Sequence, residues 1–287
     1  MRLAMTPARQ RWLALHPYLE PVARFQERID EALAREPPAP VQVPAPEAYA
    51  ADQAAGVPLL RSRSAGLAFS AAAAEALGEL LDGLAGPPLQ GRVGEACRDL
   101  REELRAPEAR ERAVAWIASG GEAPHSAHPG LLRFLAWAAA RRVLGPVVAR
   151  TSGWHGEDRW GRGSCPTCGA LPLSAQLVPE DQGRARLLAC GCCGTRWRYR
   201  RVGCPLCGTE SQEALGILQV EGEEGLRIDV CGACRAYLKT YTGEGEEELF
   251  LADWPTLHLD LIATGRGYRR AGASLFELPT DEKRSEP

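Results

Sequence analysis

Four Cys-x-x-Cys knuckles constrain this chain more than any other feature of its 287 residues. Cys165-Pro-Thr-Cys168, Cys190-Gly-Cys-Cys193, Cys204-Pro-Leu-Cys207 and Cys231-Gly-Ala-Cys234 hold eight of the 10 cysteines. In such a knuckle the chain turns sharply, so that both sulfurs face one point and two facing knuckles make a tetrahedral four-sulfur metal site. Glycine after the second cysteine permits the left-handed backbone that the turn needs. Gly169, Gly194 and Gly208 supply it, and Arg235 stands in its place in the fourth knuckle. The knuckles also repeat. Cys165-Pro-Thr-Cys168-Gly returns as Cys204-Pro-Leu-Cys207-Gly, and Cys190-Gly-Cys-Cys193 as Cys231-Gly-Ala-Cys234. Only consecutive pairing makes each copy self-contained. It gives Cys165/Cys168/Cys190/Cys193 and Cys204/Cys207/Cys231/Cys234. The rival pairing joins Cys190/Cys193 to Cys204/Cys207 and the outer knuckles to each other. A closed four-thiolate site has no open position for water, which argues for a structural or one-electron metal and against metal hydrolysis. On ligand spacing alone zinc stands ahead of iron, and an iron site of this kind would resemble rubredoxin.

The remaining two cysteines read differently. Cys192 lies inside the second knuckle but outside the repeat, a tolerated small residue or an extra thiol beside a metal. Cys97 falls on an apolar helix face and reads as core. Clustering of the cysteines in one segment does not suit the disulfide framework of a small secreted chain. The start, MRLAMTPARQRW, lacks the apolar core of a signal peptide, and no run of apolar residues is long enough to cross a bilayer. The expected location is the cytoplasm, where thiols stay reduced.

The first 150 residues read as helical. Trp12, Leu15, Leu19, Val22, Phe25, Ile29 and Leu33 recur at three- and four-residue steps as one apolar stripe, divided by Pro17 and Pro21 into a short and a longer helix. The proline-rich stretch 36–46 predicts an extended connector. Ser70 predicts an N-cap for a helix over 71–84. Helices over 89–104, 107–117 and 129–148 follow, the last interrupted at Gly145-Pro146. A polar, glycine-rich linker covers 151–163. Beyond it, Trp197 and Tyr199 in one copy and Tyr237 and Tyr241 in the other mark an aromatic strand after each second knuckle. The Glu244–Glu248 cluster reads as a hairpin tip. Asp253-Trp-Pro reads as a helix start capped by Asp253, with Leu257 and Leu261 facing inward.

Catalytic constellations are missing from the sequence: no phosphate-binding glycine loop follows a strand, and no Gly-x-Ser-x-Gly elbow occurs. His16, His125, His128, His155 and His258 form no metal spacing with one another or with a carboxylate, although His155 flanks the linker near the first knuckle. Formal net charge is -3, too small and of the wrong sign for a general nucleic-acid field. Arg184, Arg186, Arg196, Arg198, Arg200 and Arg201, interleaved with Trp197 and Tyr199, nevertheless make the first module basic and bring a zinc-ribbon nucleic-acid surface into consideration. The second module is acidic, which weakens that reading and better fits a peptide or protein partner.

The order of these motifs resembles the FdhE-type formate dehydrogenase accessory proteins. The resemblance rests on Leu131-Leu-Arg-Phe-Leu-Ala-Trp137 closing the helical part, the four knuckles in sequence, Tyr237-Leu-Lys239 directly after the fourth, and Asp253-Trp-Pro-Thr-Leu-His-Leu-Asp260. Arg235, where the family pattern often has glycine, and Cys192 are departures. The resemblance implies an α+β fold: an N-terminal all-helical domain over 1–150, a linker over 151–163, and two tandem rubredoxin-like (zinc-ribbon-like) β modules. The first module spans 164–201, the second 202–275 with a C-terminal helix, and 276–287 form a tail. It implies a non-enzymatic cytoplasmic maturation factor that binds the catalytic subunit of a formate dehydrogenase before export, with no nucleic acid and no membrane insertion. The family's association with iron shifts the preferred occupant of the two sites from zinc to iron. Alternative functions are a rubredoxin-like electron-transfer protein and a zinc-ribbon nucleic-acid binder.

Overall fold

The structure, a computed structural model, describes residues 6–34, 40–86, 89, 91–119, 124–155 and 160–272. The tail expected over 276–287 lies outside these residues, as do parts of the proline-rich connector and of the 151–163 linker. Helices come first: α1 (Pro7–Leu15), α2 (Glu20–Leu33), α3 (Pro46–Ala54), α4 (Ser70–Leu84), α5 (Gly91–Glu103), α6 (Pro107–Ser119) and α7 (Pro129–Thr151). Strands β1 (Ser174–Glu180), β2 (Gly183–Ala189), β3 (Arg196–Tyr199), β4 (Leu215–Leu218), β5 (Leu226–Cys231) and β6 (Ala236–Tyr241) follow. The short helix α8 (Glu247–Phe250), helix α9 (Leu257–Gly265) and the two-residue strand β7 (Arg269–Arg270) complete the order. The fold is therefore α+β, helical first and sheet second.

Helix α7 is the axis of the helical part. Leu132, Leu135, Ala136, Ala139, Val143 and Leu144 are buried along it and pack against Leu77, Leu80 and Leu84 of α4. The expected break at Gly145-Pro146 does not occur, because α7 runs through Pro146 to Thr151. Both residues lie on the exposed face. The carbonyl that loses its partner to proline one turn on is thus near solvent rather than sealed in the core. Nor does Ser70 cap α4: Phe69 holds the cap position and Ser70 is already helical.

The apolar stripe of the first two helices is divided rather than continuous. Ile29 joins the α4–α7 core, whereas Trp12, Leu19 and Ala23 pack on the C-terminal part, with Ile228, Tyr237, Phe250 and Leu259. Leu15 is exposed. Pro17 turns the chain through a 3-10 turn, Pro17–Leu19, so that α1 leaves the bundle and lies on the sheet end of the molecule.

Among the described residues the strands form a single seven-stranded sheet, in the order β3-β2-β1-β6-β5-β4 with β7 beside β6. Each knuckle copy contributes an antiparallel three-stranded unit, β1-β2-β3 or β4-β5-β6. The two units join where β1 runs parallel to β6, Ser174 opposite Lys239 and Gln176 opposite Tyr241. The Glu244–Glu248 segment is not a hairpin tip. It follows β6 and leads into α8.

Candidate metal centres

Three of the four knuckles share one backbone geometry. The Cys165, Cys190 and Cys204 amides donate to the carbonyls of Ala170, Thr195 and Thr209 at 2.7, 2.9 and 2.9 Å. Gly169, Gly194 and Gly208 donate back to the same three cysteine carbonyls at 2.9, 3.2 and 2.9 Å. These glycines have φ of 81°, 81° and 76°, the left-handed region where a side chain is strained. Arg235 occupies that region too, with φ 58°. Its guanidinium lies over the Tyr268 ring at 4.2 Å and donates to the Arg266 and Gly267 carbonyls. These contacts offset a conformational cost of about 1–2 kcal/mol.

The knuckles gather in the consecutive pairing. The sulfurs of Cys165, Cys168, Cys190 and Cys193 lie within 4.8 Å of one another, and so do those of Cys204, Cys207, Cys231 and Cys234. Cys165–Cys193 and Cys168–Cys190 are separated by 3.6 and 3.5 Å. Cys204–Cys234 and Cys207–Cys231 are separated by 3.6 and 3.8 Å. These are far beyond a disulfide bond of about 2.05 Å. Edges of that length belong to a tetrahedron whose centre lies about 2.1–2.3 Å from each corner, close to the metal–thiolate bond length. The donor set fits two ions per chain, zinc or iron, on chemistry as well as on shape.

Surroundings distinguish the two clusters. All four sulfur residues of the first are buried, and they belong to the same core as α4 and α7. The 3-10 turn at Leu59–Arg61 presents Leu59 and Leu60 amides to the Pro166 and Thr167 carbonyls inside the first knuckle, at 2.8 and 2.9 Å. Tyr49 donates its hydroxyl to Val57 at 2.8 Å, with Pro166 also within reach at 3.2 Å. Arg141 of α7 donates to the Cys190 carbonyl. Without an ion, burial pushes the Cys165 thiol well up, while hydrogen bonds from Cys165 and Cys168 hold Cys190 well below its ordinary value. In the second cluster Cys207 is exposed and Cys234 half-buried. A cleft beside it is lined by Arg186, Val202, Cys204, Ile217, Asp229 and Leu238.

Gly163 ties the linker to the third knuckle. A Cβ there would fall 1.9 Å from the Pro205 carbonyl oxygen. Gly163→Ala is expected to displace that knuckle at a cost of about 1–3 kcal/mol. Release of metal to a chelator should then accelerate for one of the two ions and stay unchanged for the other.

Cys97 is fully buried in the helical core, where burial raises its thiol to about 11. Cys192 is buried against the first cluster but is not one of the four converging sulfurs. His155 is buried beside that cluster with no hydrogen-bond partner on either ring nitrogen among the described residues. Burial lowers it to about 4, against the opposing charge of Cys193. Four of the six arginines in the basic stripe of the first module have partners within the chain, Arg196 on the Gln176 side-chain oxygen among them. Arg186 reaches the Gly203 carbonyl and Asp229, Arg198 pairs with Glu180, and Arg200 pairs with Glu210.

The segments after the fourth knuckle prove to be one buried network. Tyr237 and Lys239 project from one face of β6. The Tyr237 hydroxyl donates to Asp260 at 2.8 Å, and the Lys239 ammonium bridges Asp253 and Asp260 at 2.8 and 2.9 Å. Arg270 closes the square on both carboxylates. Asp253 serves this network rather than capping a helix with its side chain. Leu257 faces inward as expected, but Leu261 is 56% exposed.

A third convergence escaped the sequence reading. His16, Glu223 and His258 bring ring nitrogens and a carboxylate oxygen within 4.8 Å of one another. Their positions in the chain, one near its start and two in its last third, carry no local spacing signal.

Comparison with known proteins returns one name repeatedly. No family model matches the chain. It is 34% identical over 122 residues to the protein FdhE homolog of Stutzerimonas stutzeri, covering 41% of this chain and 39% of that protein. It is 30% identical over 148 residues to protein FdhE of Salmonella paratyphi A, covering 50% and 45%. The chain thus spans less than half the length of these curated relatives. The crystal structure of the FdhE protein from Pseudomonas aeruginosa superposes with a TM-score of 0.56 at 24% identity, covering 87% of this chain and 85% of that one. That likeness is one of fold.

Proposed function

We propose that this chain, which resembles the FdhE proteins in sequence and shares their fold, is a cytoplasmic maturation factor for a formate dehydrogenase. In this reading it binds the catalytic subunit before export and performs no catalysis of its own. The observation that carries the reading is the pair of four-cysteine clusters, one for each three-stranded unit of the sheet, in the order by which the sequence resembles that family. Cys165, Cys168, Cys190 and Cys193 hold one ion, and Cys204, Cys207, Cys231 and Cys234 hold the other. Iron is the proposed occupant, with zinc as the alternative. The helical domain to about residue 150 and two rubredoxin-like modules divided near residue 201 are the proposed working parts. Partners within the chain for four of the six arginines on the first module weaken the nucleic-acid reading. In addition, no helix among the described residues is long and apolar enough to cross a membrane.

The electron-transfer alternative draws on one feature, the exposed Cys207. A thiolate at the surface shortens the path to a redox partner, whereas the first cluster is sealed. Both readings predict a red protein whose thiolate-to-iron absorption bleaches with dithionite. A colourless protein with two zinc ions per chain would overturn iron in both. Affinity capture from cells making a formate dehydrogenase separates the two. Recovery of its catalytic subunit supports maturation. Capture that never contains that subunit, from a protein that passes electrons to an acceptor, overturns it.

A further inference from the structure

We propose that His16, Glu223 and His258 form a third metal site, one that takes a zinc-class divalent cation and pins the N-terminal helix to the second knuckle module. His16 follows α1, Glu223 lies in the turn between β4 and β5, and His258 is in the first turn of α9. The Nε2 atoms of His16 and His258 stand 2.9 and 2.8 Å from the same oxygen, Glu223 Oε1. All three side chains are largely withdrawn from solvent, with side-chain exposures of 10%, 7% and 13% for His16, Glu223 and His258.

Tautomers decide what this convergence requires. His16 Nδ1 lies 3.1 Å from the Trp12 carbonyl oxygen, which only accepts, so Nδ1 carries a hydrogen. A neutral His16 then aims the Nε2 lone pair at a carboxylate oxygen, which is repulsive unless the two atoms share a proton or both bind a metal ion. One added proton meets the need as a hydrogen-bonded ion pair: His16 becomes an imidazolium, and a neutral His258 donates its Nε2 hydrogen to the same oxygen. That arrangement leaves His258 Nδ1 and Glu223 Oε2 buried without partners among the described residues, with the two rings stacked at 4.9 Å. One divalent cation with neutral rings satisfies both nitrogens and the carboxylate together. The second carboxylate oxygen, Glu223 Oε2, is buried without a hydrogen-bond partner, so a further ligand atom is available at the same point.

The rest of the site has the form of a supporting shell. The Nδ1–H bond from His16 to a backbone carbonyl is the arrangement that fixes the tautomer of a metal-bound histidine. Trp12 stacks on His16 at 4.0 Å, and Tyr18 meets both imidazoles edge-on at 5.8 and 6.2 Å. Two imidazoles and a carboxylate suit zinc, and three protein ligands leave a fourth position for water or an incoming group. The donor set is nitrogen and oxygen throughout, so the site is chemically distinct from the two thiolate clusters.

The test uses the full-length protein with its two thiolate-bound ions in place. Titration with Zn²⁺ against a chromophoric chelator is expected to show one further equivalent bound per chain. Co²⁺ at that equivalent is expected to give weak d–d absorption without thiolate charge transfer. Glu223→Gln and His258→Gln should keep both thiolate-bound ions and the wild-type circular dichroism. Their affinity for the third ion should fall by more than about 100-fold, since even supporting hydrogen bonds around such a ligand are worth about 10–100-fold. Absence of a further equivalent in the wild type, or unchanged binding in both variants, overturns the proposal. If the variants do not fold, the wild-type Co²⁺ spectrum decides. Nitrogen- and oxygen-ligated cobalt upholds the site, and either sulfur charge transfer at the third equivalent or no spectrum overturns it.

Discussion

Replacing Cys165 by serine is expected to unfold most of the molecule, while Cys207→Ser should remove one ion and leave the helical part standing. The difference follows from where each cluster sits. Cys165 is fully buried in the core that holds α4 and α7, whereas Cys207 is exposed. A structural four-thiolate site contributes on the order of 10 kcal/mol of binding free energy to folding. Whole-domain stability is about 5–15 kcal/mol. Losing the first ion therefore removes a quantity comparable to everything that holds the core together. It also leaves unpaired polar sulfurs among Leu135, Ala175 and Trp197. Metal analysis with urea denaturation checks the contrast. Cys165→Ser should show loss of the cooperative helical transition. Cys207→Ser should show one ion per chain and a transition close to the wild type. Equal effects of the two substitutions would mean that the clusters are not unequal partners in the core.

The sequence displays the pieces of this arrangement better than their assembly. Knuckle spacing and the internal repeat point to the two clusters directly, because four sulfurs can converge only if each pair is turned by a local motif. Helices α2, α4 and α7 are legible for the same reason: periodicity and proline positions act within a few residues. What a helix packs against is not a local property. Trp12 and Ile29 share one periodic stripe, yet they bury in different cores, because Pro17 redirects the chain between them. The parallel join of β1 to β6 leaves no mark on either strand, and it alone turns two repeats into one sheet. Gly145-Pro146 reads as a break because sequence does not say that the pair faces water. His16, Glu223 and His258 each look solitary until α1 folds onto the second module. Tyr237-Leu-Lys239 and the Asp253–Asp260 segment are opposite sides of the same buried network, whose pairing only the fold discloses.

That network sets the second large effect. Asp260→Ala is expected to destabilise the protein by about 3–5 kcal/mol, the range for removing one member of a buried ion pair. Asp260 is fully buried, and it accepts from Tyr237, Lys239 and Arg270 at once. Two cations face two carboxylates in the intact cluster, so the group is neutral. Removing Asp260 leaves Lys239 and Arg270 sharing Asp253, with an uncompensated positive charge under β6 and a Tyr237 hydroxyl that has lost its acceptor and keeps only the bond from Arg270. The damage should be reversible by deleting a cation. Lys239→Met combined with Asp260→Asn restores neutrality with side chains of similar volume, and the double variant should be more stable than the sum of its single substitutions predicts, by about 1–3 kcal/mol. Urea unfolding of the four proteins closes the cycle. Strict additivity would mean that Lys239 and Asp260 do not share one buried charge balance, and that β6 is held to α9 by apolar contacts such as Tyr237 with Leu259 alone.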